Sequence, residues 1–420
     1  MHVLLVHQYF LDDQQGGGAR WNEMARIWVG MGHQVTVLAG DRHYMAHSAR
    51  RPRAGCWQKS RTNDGVLVWW CRAMRPKPGL LGRLLEYLSF MFTGSWAGLF
   101  LARDRYDLVV CTSPPLLVGL VGLLIGRVKR LPMVFEVRDL WPESAMETGV
   151  LTNKWMVRWA LWLEKVLYQS AHSVVVLTPA FKRILSSEKG VPLHKLICIP
   201  NGANFALADL VSEAGEKHRT MLRSELGISE RFVIVYLGAH GEANYLEGIL
   251  EVAHILLQTP VLFLLIGDGA RKEALQLEAK KRNLTNILFL NPCPRQKALA
   301  YVRASDMGLS ILQKVPVFGT IYSNKTFDYL SCRTPVLMAI DGLSRELIEK
   351  ANAGVYVDAK NPLDIASKIR HCMQEPELLK KWGESGYRYA KLNFDREVLT
   401  QLFLDHLKSI IRKENHIKPN

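Results

Sequence analysis

Short, uniformly apolar runs alternate along this chain with longer stretches whose apolar positions recur every three or four residues. Runs of that kind mark strands covered on both faces, and the intervening stretches are long enough to cross over, so the pattern predicts parallel sheets built from strand–helix–strand units. In the first half the predicted strands are Val3–Val6, Val35–Leu38, Val66–Trp70, Leu108–Cys111, Met133–Val137 and Val174–Leu177. A polar break opens at Pro200-Asn201-Gly202-Ala203-Asn204 and runs through Ser212, Glu213 and Gly215 to Lys217. The second series is Val233–Leu237, Val261–Ile266, Ile287–Leu290, Met307–Ile311, Val336–Ala339 and Val355–Val357. The expected architecture is α/β, with two doubly wound parallel-sheet domains at 1–205 and 206–395. Residues 396–420 are expected to form a helix packing back towards the first domain, and a polar tail. Open sheets of this kind bind ligands beyond the carboxyl ends of their strands, so the residues that follow each strand are the first candidates for chemistry.

Of two uncharged runs, Tyr87–Ala102 is somewhat short for a membrane-spanning helix and Leu108–Gly126 approaches the ~20 residues one needs. Thr112-Ser113-Pro114-Pro115 divides the second into a short strand and a separate helix beginning near Leu116. Thr93-Gly94-Ser95 sits at the centre of the first and favours a buried or interfacial helix. Arg72, Arg75, Lys77 and Arg83 precede that run and Arg103 and Arg105 follow it, a flanking pattern suited to in-plane contact with an anionic membrane surface.

At 420 residues, 48% of them apolar, the chain is too large for a small binding module and too apolar for a disordered one. Its formal net charge is +15, and the excess lies in residues 1–205, which hold 25 basic and 14 acidic side chains. An anionic partner of that half is expected. Seven scattered cysteines without a Cys-x-x-Cys pair fit a reducing cytosol and no structural metal, and Met1–His7 does not read as a secretion signal.

Gly16-Gly17-Gly18-Ala19-Arg20 follows the first predicted strand, where glycines let a ligand approach the backbone at a helix start. Gly238-Ala239-His240-Gly241 and Gly267-Asp268-Gly269 occupy the same position after strands of the second half, where His240 could donate to a phosphate or a sugar hydroxyl. The plain alternative is a locally bonded histidine and a turn capped by Asp268. Ser323-Asn324-Lys325 reads as a helix start that would converge N–H groups and an ammonium on an anion. Asp328 lies one turn on, sharing the Lys325 face or simply pairing with it. Phe135-Glu136-Val137-Arg138-Asp139-Leu140-Trp141-Pro142-Glu143 puts three carboxylates and an arginine at the end of a buried strand, with neutralisation of the acids by Arg138 as the structural alternative. No Gly-x-x-x-x-Gly-Lys-Ser/Thr phosphate loop occurs.

In register, these segments resemble the nucleotide-sugar-dependent glycosyltransferases of the GT-B fold, specifically the large retaining family 4 and its branch in bacterial O-antigen and capsule gene clusters. The resemblance covers nearly the whole chain, through Gly16–Gly18, Thr112-Ser113-Pro114-Pro115, Glu136–Glu143, Ile199-Pro200-Asn201-Gly202 and Ser323–Asp328. It implies two Rossmann-like domains facing across a cleft, the first binding acceptor and facing the membrane, the second binding the donor. Gly267-Asp268-Gly269 would pass beneath the donor nucleotide, Cys293-Pro294-Arg295 would lie beside its base, and Lys325 would meet its diphosphate. Asp328 stands where most relatives carry the second Glu of a Glu-x7-Glu pair that holds the ribose. The implied donor side is therefore Gly238, Gly241, Gly267, Asp268, Gly269, Pro294, Arg295, Ser323, Asn324, Lys325 and Asp328. Gly16, Gly17, Gly18 and Arg138 fall on the acceptor and phosphate side, and Asp139, Glu143, His240 and Lys325 form the catalytic set. Three departures stand out: Thr320 replaces the first Glu of the pair, His240 and Tyr245 stand where many relatives have Arg and Lys, and Arg138-Asp139 replaces a frequent His-Asp.

What the resemblance implies is a glycosyltransferase, in particular a hexosyltransferase, moving an N-acetylated sugar from a UDP-sugar to a polyprenyl-diphosphate-linked saccharide in surface-polysaccharide or lipopolysaccharide biosynthesis. The nucleotide sugar would be a co-substrate, with no bound cofactor and no metal, in keeping with the lack of an Asp-x-Asp motif. Its expected location is cytoplasmic, peripheral on the anionic cytoplasmic face of the inner membrane, with no nucleic-acid partner. Its rivals are a sugar-nucleotide 2-epimerase on the same fold, a basic nucleic-acid-binding protein, and an inactive scaffold.

Overall fold

The computed structural model describes residues 1–10, 20–41, 55–74, 80–213 and 215–417. These form two compact units, one holding the described residues up to Pro200 together with those from Glu397 onward, the other Asn201–Arg396. The division falls inside the Pro-Asn-Gly break, ahead of residue 205.

The strands of the first unit are β1 (His2–Val6), β2 (Gln34–Gly40), β3 (Trp57–Arg61), β4 (Leu67–Cys71), β5 (Leu108–Ser113), β6 (Met133–Val137), β7 (Ser173–Val176) and β8 (Leu196–Cys198). They form one sheet in the order β3-β4-β2-β1-β5-β6-β7-β8, parallel except for the β3–β4 pair. Its helices are α1 (Arg20–Gly30), α2 (Leu80–Trp96), α3 (Val118–Lys129), α4 (Glu143–Glu147), α5 (Lys154–Ser170) and α6 (Pro179–Ser187). The hydrophobic pattern misses β3 and β8 because they are the edges. Trp57-Gln58-Lys59-Ser60-Arg61 is flanked on one side only and needs no continuous apolar run.

The run Tyr87–Ala102 is not interrupted at Thr93-Gly94-Ser95. Helix α2 continues through them into a π-helical turn at Ala97–Leu101, and Thr93 returns its hydroxyl to the Ser89 carbonyl at 2.9 Å. Gly82–Leu101 is thereby a single stretch of 20 residues, long and apolar enough by length and composition to cross a membrane. It is also the crossover from β4 to β5, packed on β2, β4 and α3.

The second unit contains β9 (Phe232–Leu237), β10 (Val261–Ile266), β11 (Ile287–Leu290), β12 (Met307–Ile311), β13 (Val336–Ala339) and β14 (Gly354–Tyr356), all parallel in the order β11-β10-β9-β12-β13-β14. Helices α7 (Phe205–Glu213), α8 (Gly215–Glu225), α9 (Glu247–Ile255), α10 (Lys272–Lys281), α11 (Arg295–Arg303), α12 (Asn324–Ser331), α13 (Leu343–Ala351), α14 (Pro362–Gln374) and α15 (Pro376–Phe394) surround it. Strand order reverses between β9 and β12, which opens a crevice at their carboxyl ends. Helix α12 is seated hard against this point: a Cβ on Gly308 of β12 would lie 2.3 Å from the Tyr329 ring, and Ser310 and Thr326 share a buried hydroxyl bond of 2.8 Å.

Helix α16 (Arg396–Ile417) closes the core of the first unit. Its Phe403 packs on Trp21 and Trp28, and Trp28 donates its indole N–H to the Thr400 carbonyl at 3.1 Å.

Candidate functional site

At the switch point of the second unit, two glycine turns interlock. The Gly238 N–H bonds the Ile266 carbonyl at 3.0 Å and the His240 N–H bonds the Asp268 carbonyl at 2.8 Å. A Cβ on Gly267, where φ is +150°, would stand 1.8 Å from the Gly238 oxygen, and one on Gly269 2.5 Å from the His240 oxygen. Only glycine fits such an approach. Lys272, buried at the first position of α10, holds the turn from below, donating to the Gly267 carbonyl at 2.8 Å, the Leu290 carbonyl at 3.0 Å and Asn291 Oδ1 at 2.8 Å. Asp268 accepts the Gly269 N–H at 2.8 Å and so braces the turn itself rather than capping α10. Gly241 donates to Asn244 Oδ1 at 3.3 Å, which closes the β9 turn. Gly267→Ala is expected to cost ~1–3 kcal/mol of stability through the forced separation of the turns, read as a lowered urea midpoint.

Lys325 lies where these turns meet α12. Its Cε is 3.3 Å from the position of a Gly238 Cβ, and its ammonium sits 4.6 Å from the centre of the Tyr236 ring. Among the described residues no carboxylate pairs with it. Burial without a compensating anion pulls its pKa down to about 8. The N-cap of α12, Ser323, makes no side-chain bond to the helix, and its own N–H goes to Ser344 Oγ at 3.0 Å. Asn324 accepts a hydrogen bond from the Asn201 side-chain amide. The helix start therefore offers first-turn N–H groups and one unpaired ammonium, a combination that holds an anion such as a diphosphate.

Two expectations on this side are corrected. His240 has no exposed surface, its ring lies between Tyr236 and Phe289, and neither ring nitrogen has a hydrogen-bond partner. Burial, then the nearby Lys272, holds its pKa at about 4, so the ring is neutral and brings no positive charge to a phosphate; enclosed in the fold, it packs while its backbone ties the turns. Asp328 does not face Lys325. Arg295, the first residue of α11 after Pro294, reaches it from the neighbouring helix with contacts of 2.6 and 3.4 Å. Two guanidinium nitrogens in a fork fit a carboxylate better than the i,i+3 ammonium does, and they occupy both oxygens of Asp328. Thr320 returns its hydroxyl to the Val317 carbonyl at 2.6 Å within a 3₁₀ turn.

Gly16, Gly17 and Gly18 lie outside the described residues. Glu136 is fully buried and neutralised by Arg20 at 2.9 Å, not by Arg138, and it also accepts from Trp21 Nε1 at 2.6 Å and Thr112 Oγ1 at 2.7 Å. Arg138 points its guanidinium to the Pro114 carbonyl at 3.5 Å. Asp139 is half-buried and accepts the Ser144 hydroxyl at 2.8 Å. Burial raises its pKa from 3.8 to about 6, with Glu143 adding to the effect. One oxygen of Glu143 is held by Lys189 at 2.6 Å, while the other is buried without a partner. The same Lys189 grips Glu164 at 2.5 Å, and Tyr168 donates to Glu164 at 2.6 Å. One lysine thus serves two acids beside a third, Asp139, whose raised pKa gives it a higher proton affinity than an ordinary carboxylate, the chemistry of a group that can accept a proton near neutral pH.

A raised folded-state pKa means that Asp139 adds most to stability below its unfolded value, and that this contribution is lost as pH rises through about 6. Asp139→Asn is therefore expected to melt above the parent near pH ~7, with the gap closing by pH ~4, in a melting series across pH.

Arg20, Lys189, Glu164 and Lys272 carry the geometry, and the sequence offers little sign of them. Each is an ordinary charged residue on a helix or loop, and only a complete burial that demands a partner would single it out.

The site and its sheets define a class of enzyme. Residues 15–202 match the family described as glycosyl transferase 4-like domain and residues 218–389 the one described as glycosyl transferases group 1. The chain belongs to the glycosyltransferases that join these two domains, and its fold is GT-B. The sucrose-phosphate synthase of Thermosynechococcus elongatus superposes with a TM-score of 0.75 at 15% identity, covering 98% of this chain and 99% of that one. HepE of Anabaena in complex with UDP-glucose gives 0.71 at 16% identity, over 97% and 100%. In sequence, the putative colanic acid biosynthesis glycosyl transferase WcaI of Escherichia coli K12 is 23% identical over 417 residues, which is 97% of this chain and 100% of the relative.

Proposed function

We propose that this glycosyltransferase moves a sugar, an N-acetylated one, from a UDP-sugar to a polyprenyl-diphosphate-linked saccharide in bacterial surface-polysaccharide biosynthesis. The unpaired Lys325 ammonium beside the Gly238 turn carries the reading. A diphosphate leaving group gains charge as the glycosidic bond to it breaks, and a cation already desolvated, with helix N–H groups beside it, stabilises that charge without reorganising water. The UDP-glucose complex of HepE supports a UDP-sugar donor on this fold, and the name of WcaI supports polysaccharide synthesis.

On the acceptor side, Asp139 is the group to orient or deprotonate the attacking hydroxyl, with Ser144 fixing its carboxylate and Glu143 beside it restrained by Lys189. Because Arg295 occupies both oxygens of Asp328, a ribose hydroxyl meets an already neutralised pair, and Arg295 and Asp328 recognise the nucleoside together. The test is calorimetry of the purified protein against UDP, GDP, dTDP and CMP, with and without Mg²⁺. Selective UDP binding supports the reading, and its absence or preference for another nucleotide overturns the donor assignment.

A further inference from the structure

In the first unit, α3 packs against both α2 and α5. Glycines set the spacing: a Cβ on Gly119 of α3 would meet Leu167 of α5 at 2.5 Å, and one on Gly98, in the turn that ends α2, would meet Ile125 of α3 at 2.2 Å. The three helices lie side by side and present a strongly aromatic outer surface. Helix α5 exposes Trp155 at 78%, Trp159 at 45% and Trp162 at 58%, spaced so that all three indoles share one face. Leu124 and Val128 of α3 are also exposed, as are Phe92 and Trp96 of α2.

The charges on these helices are sorted. Every exposed charged side chain among their described residues is basic: Arg83 on α2, Arg127 on α3, and Lys154, Arg158 and Lys165 on α5. Their two carboxylates turn inward, Glu86 to the Tyr9 hydroxyl and Glu164 to Lys189. Three exposed indoles set among cations, with no exposed acid among the described residues of these three helices, make a poor surface for a second copy of this chain, which would oppose like charges. They suit an anionic bilayer, where indoles settle at headgroup depth and Lys and Arg stems reach lipid phosphates.

We infer that α5, with α3 and the end of α2 beside it, is the face by which the enzyme lies on an anionic membrane, with Trp155, Trp159 and Trp162 entering the headgroup region. This rests on the lipid-linked acceptor proposed above, and it moves the centre of membrane contact from the expected run at Tyr87–Ala102 to α5. An open groove of about 560 Å³ beside α5, lined by Met146, Leu151, Val157, Arg158 and Leu161, gives the placement a purpose. Met146 belongs to α4, the helix that begins at Glu143, so a lipid-borne acceptor on this face would lie next to the Asp139 and Glu143 acids.

The test is co-sedimentation of the full chain with vesicles of phosphatidylglycerol and phosphatidylcholine, against phosphatidylcholine alone. The parent is expected to bind the anionic vesicles and to release them as salt rises. A combined Trp155→Ala, Trp159→Ala and Trp162→Ala variant should lose roughly tenfold or more in partitioning, and Arg158→Glu with Lys165→Glu a similar amount. Both variants change exposed side chains, so melting temperature and UDP affinity should stay at parental values. Vesicle binding by the tryptophan variant equal to the parent's overturns the inference, as does a parent that ignores vesicles and instead self-associates through α5 in sedimentation velocity. Loss of UDP binding in the parent would overturn the donor reading and leave the vesicle result standing.

Discussion

Lys325→Ala is expected to lower UDP affinity by about 2–3 kcal/mol, roughly 30- to 150-fold in Kd, and to reduce turnover at least as much. The reason lies in the environment of the free protein. The ammonium is drawn from water against the Tyr236 ring with no carboxylate among the described residues to offset the cost, so a diphosphate would supply the missing counter-charge. Its pKa of about 8 adds a second readout. In the free enzyme the cation is present below that value and lost above it, so UDP affinity should fall as pH rises past about 8. In the alanine variant that decline should vanish along with most of the affinity. A variant that binds UDP as tightly as the parent, or keeps the alkaline decline, would remove Lys325 from the donor site.

The second large effect is on stability. Glu136→Ala should cost about 3–5 kcal/mol, because it leaves the Arg20 guanidinium, only 3% exposed, without its counter-charge and strips acceptors from Trp21 and Thr112. Arg20 also donates to the Ile199 and Pro200 carbonyls, at 3.1 and 2.7 Å, so this network ties β6 and α1 to the end of the first unit's sheet. Combining the change with Arg20→Met should recover part of the loss, since no isolated buried charge then remains, and the two changes should be strongly non-additive in a double-mutant cycle. Chemical unfolding followed by the fluorescence of the buried Trp21 and Trp28 is the measurement. Additive losses would show that the two side chains act separately.

These two residues differ in how far the sequence foretells them. Lys325 is visible in advance because its signals are local: a strand, a Ser-Asn helix start and a lysine within one turn of it. Glu136 is visible as a carboxylate on an apolar strand, but its partner is not. Arg138, two residues away, is the neighbour the sequence suggests, yet it lies past the end of β6 and its guanidinium goes to the Pro114 carbonyl, while the cation that reaches Glu136 comes from α1 across 116 positions of chain. Asp328 shows the same limit, since its pairing with Arg295 depends on how α11 meets α12.

The hydrophobic pattern by itself determined the class of fold, because a parallel strand must be apolar on both faces and so writes itself as a continuous run. Met133–Val137, Val261–Ile266, Ile287–Leu290, Met307–Ile311 and Val336–Ala339 begin and end where the pattern places them. It also determined where the glycine turns and the helix start of the donor side fall, since these are properties of consecutive residues. The tertiary structure alone decided which charges meet, that His240 is buried and neutral, that Lys189 divides itself between Glu143 and Glu164, and that three tryptophans of α5 remain in the open. Those outcomes depend on the desolvation of each group and on which helix packs beside which, quantities that arise only when segments distant in sequence come together.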